Sequence, residues 1–81
     1  MSEIKFLTTL GARIREVRKE KDITQTRLAE ICEIEKANMS RIESGQTNVT
    51  VLTLLKISNA LNTPIADLLL NSELSASEAA A

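Results

Sequence analysis

Lys36, Ala37, Asn38 and Arg41 fall together in the short stretch KANMSR. An arginine can grip guanine O6 and N7 with both arms of its fork, and an asparagine can make the matching pair of bonds to adenine N6 and N7. An alanine beside them lets the backbone come close to base edges, or meets a thymine methyl. Side chains of these types suit a probe entering the major groove of DNA. No set of residues offers catalysis on comparable terms. The chain has no histidine, its one cysteine is Cys32, and it lacks a glycine-rich phosphate loop. The expectation is therefore a protein that is not an enzyme and that uses neither a metal nor a cofactor.

Such a probe needs a rigid support, and the apolar spacing around it supplies one. Leu7, Leu10, Ile14 and Val17 recur at three and four residues, which predicts an amphipathic helix over 4–21. Arg13, Arg15, Glu16, Lys19 and Glu20 form its solvated face. Thr24 caps a second helix over 25–32, in which Leu28, Ala29, Ile31 and Cys32 form the apolar run. Only Glu33, Ile34 and Glu35 separate it from a third helix, where Met39, Ile42 and Glu43 share a face and Gly45 provides a left-handed stop. Thr50 caps a fourth, whose expected inner face is Val51, Leu54, Leu55, Ser58 and Leu61. A short fifth helix begins at Thr63 with Pro64 at its first position and runs through Leu69.

Two helices joined by a three-residue turn cannot bury their apolar stripes side by side. They cross steeply, leaving one face of the second outside. That face carries Lys36, Ala37, Asn38 and Arg41. Backbone amides at the starts of the second and fourth helices, near Gln25 and Thr50, are placed to hold phosphates.

Two charges aim the other way. Arg18 follows Ile14 by four residues, and Glu43 has the same relation to Met39, so helical geometry turns both toward the core. An unpaired buried charge costs several kcal/mol, so a mutual ion pair is one reading and snorkelling to the rim is the other.

Composition narrows the remaining choices. An 81-residue chain accommodates one small core. Phe6 is the only aromatic, and two glycines with one proline are too few turn residues for an all-β domain, so the expected class is all-α. A lone cysteine excludes a disulfide framework and fits a reducing cytoplasm. The N-terminal residues read as neither a signal peptide nor a membrane span. Residues 1–70 form the expected domain, and 71–81, without an apolar period, a loose tail.

The elements LGARIREVR, TQTRLAEIC, MSRIESG and NVTVLTLLKISNAL occur in an order and spacing that resemble the Cro/phage-repressor type of helix-turn-helix family, also called XRE, from Leu10 to Leu69. The resemblance implies a compact five-helix, lambda repressor-like DNA-binding fold. It places Lys36, Ala37, Asn38 and Arg41 toward the bases and Thr24, Gln25, Ser44, Asn48 and Thr50 near the phosphate backbone. It also matches Arg18 and Glu43 to a buried ion pair, and Ala29 to a small residue that lets the second and third helices pack closely. The sequence departs from the family pattern at three positions. Glu33 stands where glycine is usual, Glu35 where a capping Ser or Thr is usual, and Val49 where proline is frequent. The Glu35 carboxylate can favour the positive helix end, repel phosphates, or accept a bond from cytosine N4.

The whole chain has a formal charge of −1. Residues 1–70 carry 10 basic and 9 acidic groups, a modest balance for a DNA partner. Useful affinity then calls for two copies on one duplex. Ile65, Leu68, Leu69 and Leu70 offer apolar surface for a homodimer, or else close the monomer core. A symmetric dimer would set two reading helices about 34 Å apart, matching an inverted repeat. The expected function is a cytoplasmic transcription regulator that binds double-stranded DNA, with no membrane partner and no small-molecule ligand. NVTV leans toward controllers of restriction-modification systems within this group. The rival reading is a protein-interaction module or antitoxin on the same fold.

Overall fold

The computed structural model describes residues 2–69 and contains five helices. These are α1 (Glu3–Glu20), α2 (Gln25–Cys32), α3 (Lys36–Ser44), α4 (Val51–Leu61) and α5 (Ile65–Leu69). Three begin in the same way. The side chains of Ser2, Thr24 and Thr50 accept from the backbone amides of Lys5, Arg27 and Thr53, satisfying a donor that the helix itself leaves open.

The first four helices also end alike. Asp22, Glu33, Gly45 and Asn62 take positive φ, and the next amide reaches back over the last turn. These bonds run from Ile23 to the Arg18 carbonyl (3.1 Å), Ile34 to Ala29 (3.0 Å), Gln46 to Arg41 (2.8 Å) and Thr63 to Ser58 (3.0 Å). Only Gly45 is a glycine. A Cβ there would also strike the Thr8 backbone, so this stop brings the end of α3 against α1.

Ile14, Leu28, Met39, Ile57, Leu61 and Leu68 are fully buried and form the centre of one aliphatic core. Helix α1 packs on α3 and α5, α2 on α3 and α4, and α4 on α5. Arg13 fastens α1 to α5 by donating from Nε to the Asp67 carbonyl at 3.1 Å while its Nη1 pairs with Glu16. Where α1 crosses α3, Gly11 leaves the space that the close approach needs. A Cβ would fall under 3.0 Å from the carbonyls of Ile42 and Glu43, so the two helices meet backbone to backbone.

Several expectations are corrected. The inner face of α4 is Leu54, Ile57, Ser58 and Leu61, whereas Val51 (79% exposed) and Leu55 (42%) face outward. The segment VLTLLKI is apolar nearly all round, so periodicity fixes its helical state better than its rotation. Ile31 of α2 is also outside. Pro64 precedes α5, with its carbonyl accepting from Asp67 at 3.0 Å. Leu68 belongs to the protomer's own core and is closed to a partner; Ile65 and Leu69 are half-buried against that core. Leu70 and the 71–81 tail lie outside the described residues.

Candidate nucleic-acid interface

The α2–α3 corner is made by three residues. Glu33 closes α2 in the left-handed conformation (φ 58, ψ 41), Ile34 tucks partly into the core, and Glu35 opens α3 in extended conformation. A left-handed non-glycine residue costs about 1–2 kcal/mol, which the two C-terminal bonds of α2 and the packing of Ile34 offset. Ala29, buried at this corner, leaves room for α3 to approach α2.

Helix α3 buries Met39, Ile42 and Glu43. Helical rotation therefore puts Ala37 and Arg41 at its outer crest, one turn apart, with Lys36 on one flank and Asn38 on the other. All four are exposed. Among the described residues, the side chains of Lys36, Asn38 and Arg41 make no hydrogen bond or ion pair. Arg13, Arg18 and Arg27, by contrast, are tied to Glu16, Glu43 and Glu30. Ser40, exposed one turn beyond Lys36, shares this surface; its four-residue spacing from Lys36 is the signal that marks it in the sequence.

Behind that face α3 is bolted down. Arg18 and Glu43 pair in fork geometry, Nε to Oε2 at 2.7 Å and Nη2 to Oε1 at 3.0 Å, and both are buried. Arg18 Nη1 also donates to the Ile23 carbonyl at 2.9 Å, and Gln25 Nε2 donates to Glu43 Oε1 at 3.1 Å. No buried side-chain nitrogen or oxygen among the described residues lacks a partner, the condition under which a buried pair holds geometry without a large penalty. One network thus joins α1, the start of α2 and the end of α3.

The residues expected near phosphates divide into two kinds. Gln25 turns its carboxamide inward to Glu43, and Ser44 commits its hydroxyl to the Ser40 and Arg41 carbonyls. Thr24 and Thr50 cap their helices, and the Thr50 hydroxyl donates to Thr53. What remains for a phosphate at these helix starts is the Thr24 hydroxyl proton, the second carboxamide proton of Gln25, and the backbone amides of Gln25, Thr26, Val51 and Leu52 beyond the reach of the helical ladder. Asn48 keeps an exposed side chain.

The steep α2–α3 corner with its outward polar face lies inside a family match, since the helix-turn-helix family HTH_3 covers residues 14–68, from the middle of α1 to α5. The chain belongs to the HTH_3 family. HTH_3 proteins are DNA-binding transcription regulators of the XRE type and not enzymes. Among solved structures, the chain is similar to the restriction-modification controller protein C.AhdI from Aeromonas hydrophila, at 32% identity and TM-score 0.75, with 76% of this chain and 94% of that one covered. It is similar to the clp gene regulator ClgR from Corynebacterium glutamicum at 32% identity and TM-score 0.82, covering 93% and 81%. A single-residue mutant of the restriction-modification controller protein C.Esp1396I aligns at 25% identity and TM-score 0.74, covering 93% and 91%. Comparison with curated protein sequences gave no match.

Within the HTH_3 frame, Cys32 is a packing residue, 1% exposed. Burial pushes its thiol up from the usual range, and the positive charge of Lys56 pulls it part of the way back. Among the described residues no cluster of acidic, histidine or cysteine side chains could hold a metal ion, and no helix is long and apolar enough to cross a membrane.

Proposed function

We propose that this HTH_3 protein reads a specific operator in double-stranded DNA with Lys36, Ala37, Asn38 and Arg41, and does so in the cytoplasm as a homodimer on an inverted repeat. The observation that carries the reading is the contrast between the two sides of α3. Its inner side is locked by Arg18 and Glu43, while its outer polar side chains are exposed and unpartnered. Arg41 suits guanine and Asn38 suits adenine by the pattern of their donors and acceptors. The free amides at the starts of α2 and α4, together with Asn48, supply backbone contacts that fix register. ClgR is a gene regulator and C.AhdI a controller protein, and control of genes is the role carried over to this chain.

Homodimerisation follows from the charge balance and from unused apolar surface. A groove of about 650 Å³ opens between the N-terminal half of α1 and the start of α4, lined by Phe6, Leu7, Leu10, Val49, Leu54 and Leu69. Val51 stands at its rim, 79% exposed. We place the partner there, with Ile65 and Leu69 contributing their exposed parts.

Selecting bound duplexes from a random pool at two salt concentrations tests the reading, because the recovered motif reports symmetry and the salt slope reports phosphate contacts. Arg41→Ala and Asn38→Ala are each expected to relax preference at one operator position, costing about 1–3 kcal/mol for the preferred base. DNA binding unchanged by both substitutions would favour an interaction module, with Glu33 and Glu35 as its acidic contacts.

A further inference from the structure

The three capped helices make Glu35 stand out. Ser2, Thr24 and Thr50 bond the first-turn amides of their helices, whereas Glu35, in the same position before α3, makes no cap bond. Its carboxylate also forms no ion pair among the described residues, with neighbouring Lys36 or any other cation, and the residue is exposed. The side chain is therefore fixed at its root, by a backbone carbonyl that accepts from Met39 at 3.0 Å, and free at its tip. That tip sits at the leading corner of the helix proposed to enter the groove.

We propose that Glu35 is a specificity-determining residue that selects cytosine at one position of each half-site by accepting a hydrogen bond from N4. This rests on the DNA-reading role proposed for α3. A carboxylate has only acceptors, so the duplex edge must supply a donor. Guanine presents N7 and O6, and thymine presents O4, so both repel it. Adenine offers N6 but places the N7 acceptor beside it, where the second carboxylate oxygen would lie. Cytosine presents N4 without a neighbouring acceptor on the same base. Glu35 thus discriminates as much by what it rejects as by what it binds, and it does so at the expense of affinity for every phosphate nearby.

The test compares wild-type protein with Glu35→Gln and Glu35→Ala in duplex selection from a random pool. Equilibrium binding to the recovered operator, and to the same operator with the cytosine changed to thymine, then follows. Wild type is expected to select cytosine at one position per half-site and to lose roughly tenfold or more on the change to thymine. Glu35→Gln, which keeps the size and removes the charge, is expected to lose that preference and move toward adenine, with all other positions unchanged. Because Glu35 has no side-chain bond to lose, both variants should fold, giving up only the small favourable interaction of a carboxylate with the positive helix end. The proposal is overturned if wild type and Glu35→Gln recover the same motif, or if the variants merely bind all duplexes more tightly by one common factor. If wild type recovers a motif and the proposal fails, the reading helix stands without it; if wild type recovers no motif, both fall together.

Discussion

At the scale of single residues, Glu43 carries the most consequence, since it accepts from Arg18 twice and from Gln25 once while buried. Glu43→Ala strands the Arg18 guanidinium in the core, and denaturant unfolding should show a loss of about 3–5 kcal/mol. The double change Arg18→Met with Glu43→Leu removes both charges and should recover most of that loss. Cys32 gives a pH-dependent counterpart. Burial raises its thiol in the folded protein above its ordinary value of about 9.0, so the unfolded chain ionises first, near that pH, while the fold retains the proton. The Cys32 contribution is therefore complete below that pH and is lost as pH rises through the higher folded value. Between about pH 7 and 9.5, wild type should lose more stability than Cys32→Ala. The inward pull on Arg18 and Glu43 can be read from helical spacing alone, but the bonds of Gln25 to Glu43 and of Ser44 to the Ser40 and Arg41 carbonyls cannot. Which acceptor a flexible side chain finds depends on neighbours brought together only by the fold.

At the scale of helices, the boundaries around the α2–α3 corner and the start of α4 are legible because they are written in local chemistry. Thr24 and Thr50 cap, Gly45 stops, and the three residues Glu33 to Glu35 force a corner. Rotation is legible where one face is plainly polar, as in α1 and α3. It is not legible in α4, where Val51 and Leu55 look as apolar as Ile57 and only packing decides between them. The same limit hides Leu68, whose burial depends on α5 folding back over α1 and α4. The α1–α3 crossing yields a sharp expectation. Gly11→Ala puts a methyl into the Ile42 and Glu43 carbonyls and should destabilise by about 1–3 kcal/mol in thermal melts. Because the displaced element is α3, DNA affinity should fall alongside.

At the scale of the whole molecule, the described domain has little spare positive charge, and its apolar surplus is concentrated on α4 and the N-terminal half of α1. Val51→Lys places a charge at the groove rim without touching the core or the reading helix. If the proposed homodimer forms at this groove, sedimentation should show it shifted toward monomer, with thermal stability nearly unchanged at low protein concentration and operator affinity reduced with roughly half the salt slope. The unpartnered side chains of α3 have one more consequence. Lys36, Asn38 and Arg41 make no side-chain hydrogen bond or ion pair among the described residues, so selection can rewrite the lettering on this surface while the plate behind it stays fixed. If this surface reads DNA as proposed, a lineage built on this scaffold can acquire new targets through substitutions that cost the fold little, and its members should differ most where the fold is least concerned.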